Sequence, residues 1–247
     1  MKGSTKLVAI SIAAAAIGVF TSAWVALWLL RGSYLTALVF LLVSIWGFGF
    51  CLYFLSTRFG TAKPRIEVDA EGTRLQPPRA TDTTHVIAAC AVFIAAALYL
   101  VFAPLGMLDY VPSGPTGVIF RAGCGSLVVL GVSTAYRMLK YRGGGHLRLN
   151  PVGFEVWNGQ WGQFRQGTWD AVEQILDHRL KGFKPFNEVI VFILPQGRSA
   201  MLIADAITPD SRALREWVRF YWQHPECRGE LVDGRAVRRL DEENNVE

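Results

Sequence analysis

Four long segments of the sequence are nearly free of charged residues. Residues 8–30, 34–56 and 86–108 contain no Asp, Glu, Lys or Arg, and residues 117–136 contain only Arg121. Each segment has about the 20 residues that an apolar helix needs to cross the hydrocarbon core of a bilayer. A helix also satisfies its own backbone hydrogen bonds, for which that core offers no water. The pattern therefore predicts one transmembrane helix per segment, the last extending to residue 139.

The average composition hides this division of the chain. Charged residues make up 18% of the 247 residues, below the roughly 25% of a soluble domain, because uncharged spans are averaged with a polar remainder. A single soluble domain, a secreted disulfide scaffold and a disordered chain are thereby excluded. The 4 cysteines have no paired spacing, so we expect neither a disulfide framework nor a zinc site.

The basic residues that flank the spans predict the orientation of the chain. They precede the first span, fill the segment between the second and third, and follow the fourth: Lys2, Lys6, Arg58, Lys63, Arg65, Arg74, Arg79, Arg137, Lys140, Arg142 and Arg148. The only basic residue of the opposite loops is Arg31. By the positive-inside rule, we expect a multi-pass protein of the inner (plasma) membrane with both termini in the cytoplasm. The first span is too long for a signal peptide and is expected to be retained.

The chain is thus predicted to alternate between paired spans and cytoplasmic segments. The expected parts are a first transmembrane hairpin over 1–60, a linker over 61–85 with a β-hairpin at 65–76, a second transmembrane hairpin over 86–142, a domain over 146–224 and a charged tail over 225–247.

Two short stretches of the sequence look alike. Residues 66–75 and 147–156 share apolar positions, an Asp or Asn, and a glycine three residues later, at Gly72 and Gly153. An Asx side chain followed by glycine favours a tight turn between two strands. Each stretch follows a pair of spans, so the chain consists either of two tandem units of helix pair and hairpin, or of parts that are similar by coincidence.

The region after residue 145 has the short apolar runs of a β-rich domain. The runs predict strands over 146–150, 153–158, 161–166, 169–177, 188–194 and 198–204. Thr208 and Pro209 are expected as the N-cap and the first residue of a helix that ends near Gln223. Four apolar residues of this helix share one face and are expected to cover the sheet: Leu214, Trp217, Val218 and Tyr221.

One part of the sequence resembles a known domain family. The segment from His146 to Trp157, the sequence Thr168-Trp169-Asp170 and the C-terminal amphipathic helix are similar to the bacterial pleckstrin-homology-like (PH-like) domains that are attached to membrane helices. The resemblance covers residues 146–224. It implies a cytoplasmic α+β domain built as a partly open β-barrel, capped by the C-terminal helix, that binds lipid headgroups or protein. The hairpin at 65–76 could add strands to the edge of this barrel.

The first span carries small residues at every fourth position. These residues are Ala14, Gly18, Ser22 and Ala26. Small residues at this spacing allow the backbone of another helix to approach closely. That helix belongs either to a partner subunit or to this same chain.

Two basic sets are candidates for contact with lipid headgroups or with a partner. The first set, near the end of the fourth span, is Arg137, Lys140, Arg142 and Arg148. The second set lies on the last helix, opposite its apolar face, and consists of Arg212, Arg215, Arg219 and Trp222. Basic residues close to an anionic membrane surface contribute about 1 kcal/mol each to binding. The alternatives are a topology signal for the first set and a solvated helix face for the second.

The sequence contains no motif of a known catalytic class. GxSxG, HExxH and GxxxxGK[ST] are all absent, so we expect no catalytic residues, no cofactor and no metal. Arg121, the one charge within a span, is expected to set the depth of that helix. The net charge of +5 lies largely beside the membrane, so nucleic-acid binding is not expected.

The layout, the size and the use of Ala, Arg and Trp resemble mycobacterial membrane proteins. Among these, the chain is similar to the lipid uptake coordinators that accompany mammalian-cell-entry (MCE) lipid importers. The resemblance implies a non-catalytic accessory subunit that docks on transmembrane subunits, either the permease or a single-span MCE subunit. The other hypotheses are a stand-alone sensor whose cytoplasmic domain binds anionic phospholipid, and a small transporter.

Overall fold

A computed structural model describes residues 2–59, 64–141, 145–159, 162–178 and 188–243. The chain divides into two compact units. The membrane unit contains residues 8–55 and 83–140, and the sheet unit contains residues 1–7, 56–82 and 141–247.

Four long apolar helices make up most of the membrane unit. They are α1 (Lys2–Leu30), α2 (Tyr34–Phe59), α3 (Arg79–Phe102) and α4 (Gly114–Tyr141). All four are long and apolar enough to cross a bilayer. The prediction of a multi-pass membrane protein with four apolar helices is thereby confirmed.

The third helix lies earlier in the chain than the sequence predicted. It begins at Arg79 and ends at Phe102, whereas the uncharged window ran from 86 to 108. Its first turn accommodates Asp82, whose carboxylate lies 3.7 Å from the Arg65 guanidinium. The helix ends before Pro104, which cannot continue the hydrogen-bond ladder, and Gly106 then turns the chain at a φ of 69°.

The sheet unit contains two antiparallel sheets. The larger has the strand order β1 (Arg65–Asp69), β2 (Gly72–Gln76), β3 (Gly145–Leu149), β4 (Gly153–Asn158) and β5 (Gln163–Thr168); the smaller has β6 (Gln174–Leu176), β7 (Val189–Leu194) and β8 (Arg198–Ile203). An α+β unit separate from the apolar helices agrees with the predicted fold class. Among the described strands no pairing joins the two sheets, so they do not form a closed barrel.

The hairpin of β1 and β2 belongs to the larger sheet. Thr73, Arg74 and Leu75 of β2 pair with Leu149, Arg148 and Leu147 of β3. The expectation that residues 65–76 add strands to the edge of the later domain is therefore confirmed. A core of apolar side chains from both sheets includes the fully buried Leu75.

The helix α5 (Ser211–Gln223) covers this core with the predicted face. Leu214, Trp217, Val218 and Tyr221 are all completely buried. Its start differs from the prediction, since the N-cap is Asp210, whose side chain accepts a hydrogen bond of 2.8 Å from the Ala213 backbone N–H. The Thr208 hydroxyl instead accepts from the Asp210 N–H at 3.3 Å, which places Thr208 and Pro209 ahead of the helix.

The predicted strand 169–177 is mostly not a strand. A 3₁₀ helix occupies Trp169–Ala171, and the short β6 follows. The reason is the Trp169 side chain, which is buried to 1% exposure and donates from its indole N–H to the Asn150 carbonyl at 2.8 Å. This hydrogen bond and the burial of Trp169 turn the backbone at the position where a longer strand was predicted.

The charged tail is folded as far as the structure describes it. A 3₁₀ helix over Pro225–Val232 leads into α6 (Arg235–Glu243). Leu231, Ala236 and Leu240 are buried in the core of the sheet unit. The Trp217 indole N–H donates to the Ala236 carbonyl at 2.8 Å, which joins α6 to α5.

Candidate functional site

The small residues of α1 lie against α2. A Cβ atom on Gly47 of α2 would lie 2.8 Å from the Gly18 backbone nitrogen and 2.9 Å from the Ala14 carbonyl oxygen. A Cβ on Gly18 would in turn lie 3.0 Å from the Phe48 ring. The two helix backbones therefore approach so closely at Gly47 that this position requires glycine, whereas a Cβ at Gly18 would require the Phe48 ring to shift by a few tenths of an ångström.

Hydroxyl groups reinforce the same contact between α1 and α2. The Ser22 and Ser44 hydroxyl oxygens lie 2.6 Å apart, and Ser44 also donates to the Gly18 carbonyl at 3.0 Å. Ala26, the last member of the predicted set, is exposed. Of the two alternatives for this face, the structure has packing within the chain, so Ala14, Gly18 and Ser22 are not available to a partner helix.

A different helix presents exposed small residues, which are interspersed with large exposed residues such as Val129. Ala122, Ser126 and Ser133 of α4 are all exposed, and the Ser126 hydroxyl bonds the Ala122 carbonyl of its own helix at 3.0 Å. Only 11% of the most apolar stretch of α4 is buried, against 39% for α3. A Cβ at Gly123 or Gly125 would meet no atom within 4 Å. We refer to Ala122, Ser126 and Ser133 as the α4 face.

Arg121 lies beside this face. It is exposed, and its Nε donates to the Gly117 carbonyl at 3.2 Å, one helical turn nearer the start of α4. The side chain thus extends toward the start of α4, as expected for a long cationic side chain that sets the depth of the helix in the membrane.

The first basic set is only partly exposed. Arg137 and Lys140 are exposed on the last turns of α4, and Arg142 lies outside the described residues. Arg148 is held by two carboxylates, with nitrogen–oxygen distances of 2.6 Å to Asp69 and 2.8 Å to Glu71. Its charge is neutralised within the sheet, so Arg148 is a weak candidate for a lipid headgroup.

The second basic set is used largely for packing within the sheet unit. Arg215 forms ion pairs with Asp177 at 3.0 Å and Glu216 at 3.2 Å. Arg219 donates to the Ile175 carbonyl of β6 at 2.7 Å. Arg212 is exposed, whereas Trp222 packs partly buried against the core. These contacts tie α5 to its neighbours and leave Arg212 as the most accessible member.

The larger sheet carries a row of polar residues that the sequence did not identify as a site. The strand register aligns Glu67, Arg74, Arg148, Glu155 and Gln166 across all five strands. In β2, β3 and β4 they are adjacent to the buried Leu75, Leu147 and Phe154, so they lie on the face opposite the core. The alignment required the pairing of β2 with β3, which no single strand reveals.

His146 connects two members of this row. The side chain is 1% exposed; its Nδ1 lies 2.9 Å from an Arg74 guanidinium nitrogen, and its Nε2 lies 2.6 Å from the Glu155 carboxylate. A guanidinium only donates, so Nδ1 accepts and Nε2–H donates, which assigns the neutral Nε2–H tautomer. Burial lowers the pKa of His146, and the hydrogen bond from His146 lowers the pKa of Glu155.

An open depression of about 950 Å³ lies beside the turn between β3 and β4 and extends over part of this polar row. Arg148, Glu155 and Gln166 line it, together with Asn150 and Glu71. Its charges are of both signs, and Arg148 and Glu155 already make an ion pair and a hydrogen bond, respectively. This arrangement suits a polar surface contact better than the binding of a single anion. In the part of the chain that the structure describes, no cluster of His, Cys, Asp and Glu could hold a metal ion.

The fold defines a multi-pass membrane protein with an additional α+β unit. No protein-family model, curated protein or solved structure matches this chain.

Proposed function

We propose that this chain is a non-catalytic accessory subunit that binds and stabilises or regulates a larger membrane complex, most specifically an MCE-type lipid importer. The observation that carries this proposal is the exposed α4 face. Ala122 and Ser126 lie one turn apart on an exposed surface of α4 and leave room for another helix to approach closely. Because the small residues of α1 pack against α2, we expect a transmembrane subunit to dock at the α4 face.

The sheet unit supports a role in binding. Two antiparallel sheets whose core is covered by a C-terminal helix are compatible with the PH-like identity proposed from the sequence. The orientation that we propose places this unit and both termini in the cytoplasm, since the basic flanks of the spans favour it. Anionic phospholipid is the proposed lipid partner, at the exposed Arg137 and Lys140.

The α4 face is tested by replacing Ala122 and Ser126 with Leu in the full chain. We expect the double variant to be inserted normally but to lose its co-purifying membrane subunits after extraction in mild detergent, because the larger side chains prevent close helix approach. The matched control replaces Ala13 and Ala16 with Leu, since both are exposed small residues of α1.

The partners recovered with the wild-type chain decide the specific part of the proposal. A permease or a single-span MCE subunit would support the lipid importer. Other stable membrane partners that depend on the α4 face would retain the accessory role and remove the MCE assignment. Partners that are unaffected by the double variant would contradict docking at α4.

A further inference from the structure

The membrane unit contains an apolar pocket that the proposed docking does not use. Its volume is about 700 Å³, and its walls come from α2, α3, α4 and the loop before α4. Tyr99, Tyr110 and Ile119 line one end, near the loop. Trp46 and Leu127 lie further along their helices, so the pocket extends from the loop toward the middle of the spans.

A buried hydroxyl group lies in the wall of this pocket. Tyr99 is 3% exposed and packs edge-on against Phe120, with ring centroids 4.8 Å apart. Its hydroxyl finds no hydrogen-bond partner among the residues that the structure describes. A buried polar group without a partner is unfavourable, and such groups in an otherwise apolar pocket are those that orient a ligand.

The loop between α3 and α4 is fastened beside the same end of the pocket. The Asp109 carboxylate accepts a hydrogen bond from the Ser33 hydroxyl, and the Asp109 backbone N–H donates to the Thr36 hydroxyl at 3.1 Å. The neighbours of Asp109, Leu108 and Tyr110, both line the pocket. The wall formed by the loop is therefore held in place by the start of α2.

These features limit the chemistry of the occupant. The lining is almost entirely apolar, and the volume lies within the roughly 300–1,000 Å³ of sites for a single small ligand. One long hydrocarbon chain suits this space, whereas a complete phospholipid with two chains does not. Arg121 directly follows the pocket residue Phe120 and extends toward the same end as Tyr99. A carboxyl group at that end would lie near both a hydroxyl donor and a cation.

We propose that this pocket binds one long-chain fatty acid, with the hydrocarbon chain between α2, α3 and α4 and the carboxyl group at the end formed by Tyr99. The site is separate from the α4 face, so it stands whether or not the chain is an accessory subunit.

The test uses the full-length protein in detergent and a palmitic acid probe that carries a photoreactive diazirine. We expect crosslinks on peptides of α2, α3 and α4 that line the pocket, and excess unlabelled palmitate should remove them. Crosslinks that palmitate does not displace would overturn the proposal. A photoreactive phosphatidylethanolamine serves as the second arm, and preferential labelling of the same peptides by this phospholipid would overturn the fatty-acid assignment.

Two glycines of α4 provide matched variants. A Cβ at either Gly123 or Gly125 meets no atom within 4 Å, but only Gly123 lines the pocket. We expect Gly123→Leu to fill the pocket and remove the displaceable crosslinks, and Gly125→Leu to retain them. Equal labelling of the two variants would contradict the site, provided that both elute as folded protein in size-exclusion chromatography.

The role of the hydroxyl is tested separately with Tyr99→Phe. Loss of one hydrogen bond should weaken palmitate competition by about two- to tenfold, while crosslinks stay on the same peptides. An unchanged competition curve would overturn the role of Tyr99, and the palmitate displacement in the wild-type chain still decides whether the pocket binds fatty acid.

Discussion

The imidazole of His146 is buried between Arg74 and Glu155, and its burial keeps it neutral. Arg148 of the same strand adds a second nearby cation that opposes protonation. The polar face of the larger sheet therefore depends on an uncharged imidazole.

This arrangement makes the stability of the sheet unit sensitive to mild acid. The pKa of His146 is lowered below 6.5 by burial, so the unfolded chain binds a proton at a higher pH than the folded chain does. Stability is then complete above about pH 6.5 and is lost as the pH falls below that value. The pKa of Glu155 is lowered below 4.5, so its own contribution is lost only in stronger acid.

We expect thermal unfolding of the full chain in detergent to show a midpoint that decreases from pH 7 to pH 5, and His146→Gln to flatten this dependence. Glutamine can still donate to Glu155 but does not titrate. His178→Gln is the control, since His178 is exposed. An equal slope for the wild type and the His146 variant would contradict the assignment.

At the scale of elements, the contact between α1 and α2 shows how small residues act within the chain. The close approach at Gly47 leaves no room for a side chain. Gly123 and Gly125 of α4, by contrast, would each accept a Cβ atom without a contact within 4 Å. A glycine in a span therefore either marks a close contact between helices or meets no neighbouring atom, and the spacing of small residues alone did not distinguish the two cases.

Gly47→Ala should consequently destabilise the membrane unit. The added methyl group would lie within 3 Å of the backbone of α1, and overpacking of this kind costs about 1–3 kcal/mol. Gly125→Ala should be neutral or slightly stabilising, because alanine has the higher helix propensity and meets no atom. Thermal unfolding of both variants in the same detergent measures the difference. Equal midpoints would show that the two helices separate more easily than their close contact implies.

The two similar stretches of sequence form equivalent hairpins. In the first, Asp69 accepts a hydrogen bond from the Glu71 backbone N–H at 2.8 Å; in the second, Asn150 accepts from the Gly153 N–H at 2.7 Å. A Cβ on Gly72 or Gly153 would in each case collide with a carbonyl oxygen of the next strand. These hairpins lie side by side in one sheet, which supports duplication over coincidence.

At the scale of the whole molecule, the sheet unit is assembled from separated parts of the sequence. The Thr73 hydroxyl of β2 donates to the Leu231 carbonyl at 2.6 Å, and Leu75 of the same strand is fully buried. A fragment that starts at residue 145 lacks both. The unit is therefore complete only with the strands that precede α3.

We expect residues 145–247 alone to fold poorly, and a chain that joins residues 64–78 to residues 145–247 through a short Gly-Ser turn to fold cooperatively. The join is short because Leu75 pairs with Leu147, so the end of β2 lies beside the start of β3. Circular dichroism during thermal unfolding compares the two chains. Equally cooperative unfolding of the shorter fragment would contradict an essential role for the hairpin.

Much of the fold could be predicted because its signals are local. The α5 face and the two hairpins followed from periodicity and turn residues. The predicted start of α3 lay too late in the chain because polar residues such as Asp82 occupy its first turns. The predicted strand 169–177 was longer than the observed β6 because the contact of Trp169 with Asn150 is not local. The polar row, the pairing of His146 and the apolar pocket depend on distant segments, which a pattern in one segment does not reveal.

Hydrophobicity along the chain determined by itself that this protein has four helices able to cross a membrane, because each span must satisfy its backbone hydrogen bonds within a continuous apolar segment. Only the tertiary structure decided which small-residue face is used within the chain, which arginines are already paired, and where a pocket remains. These properties depend on the neighbour that each side chain meets. That neighbour is set by packing across the fold and not by the local sequence.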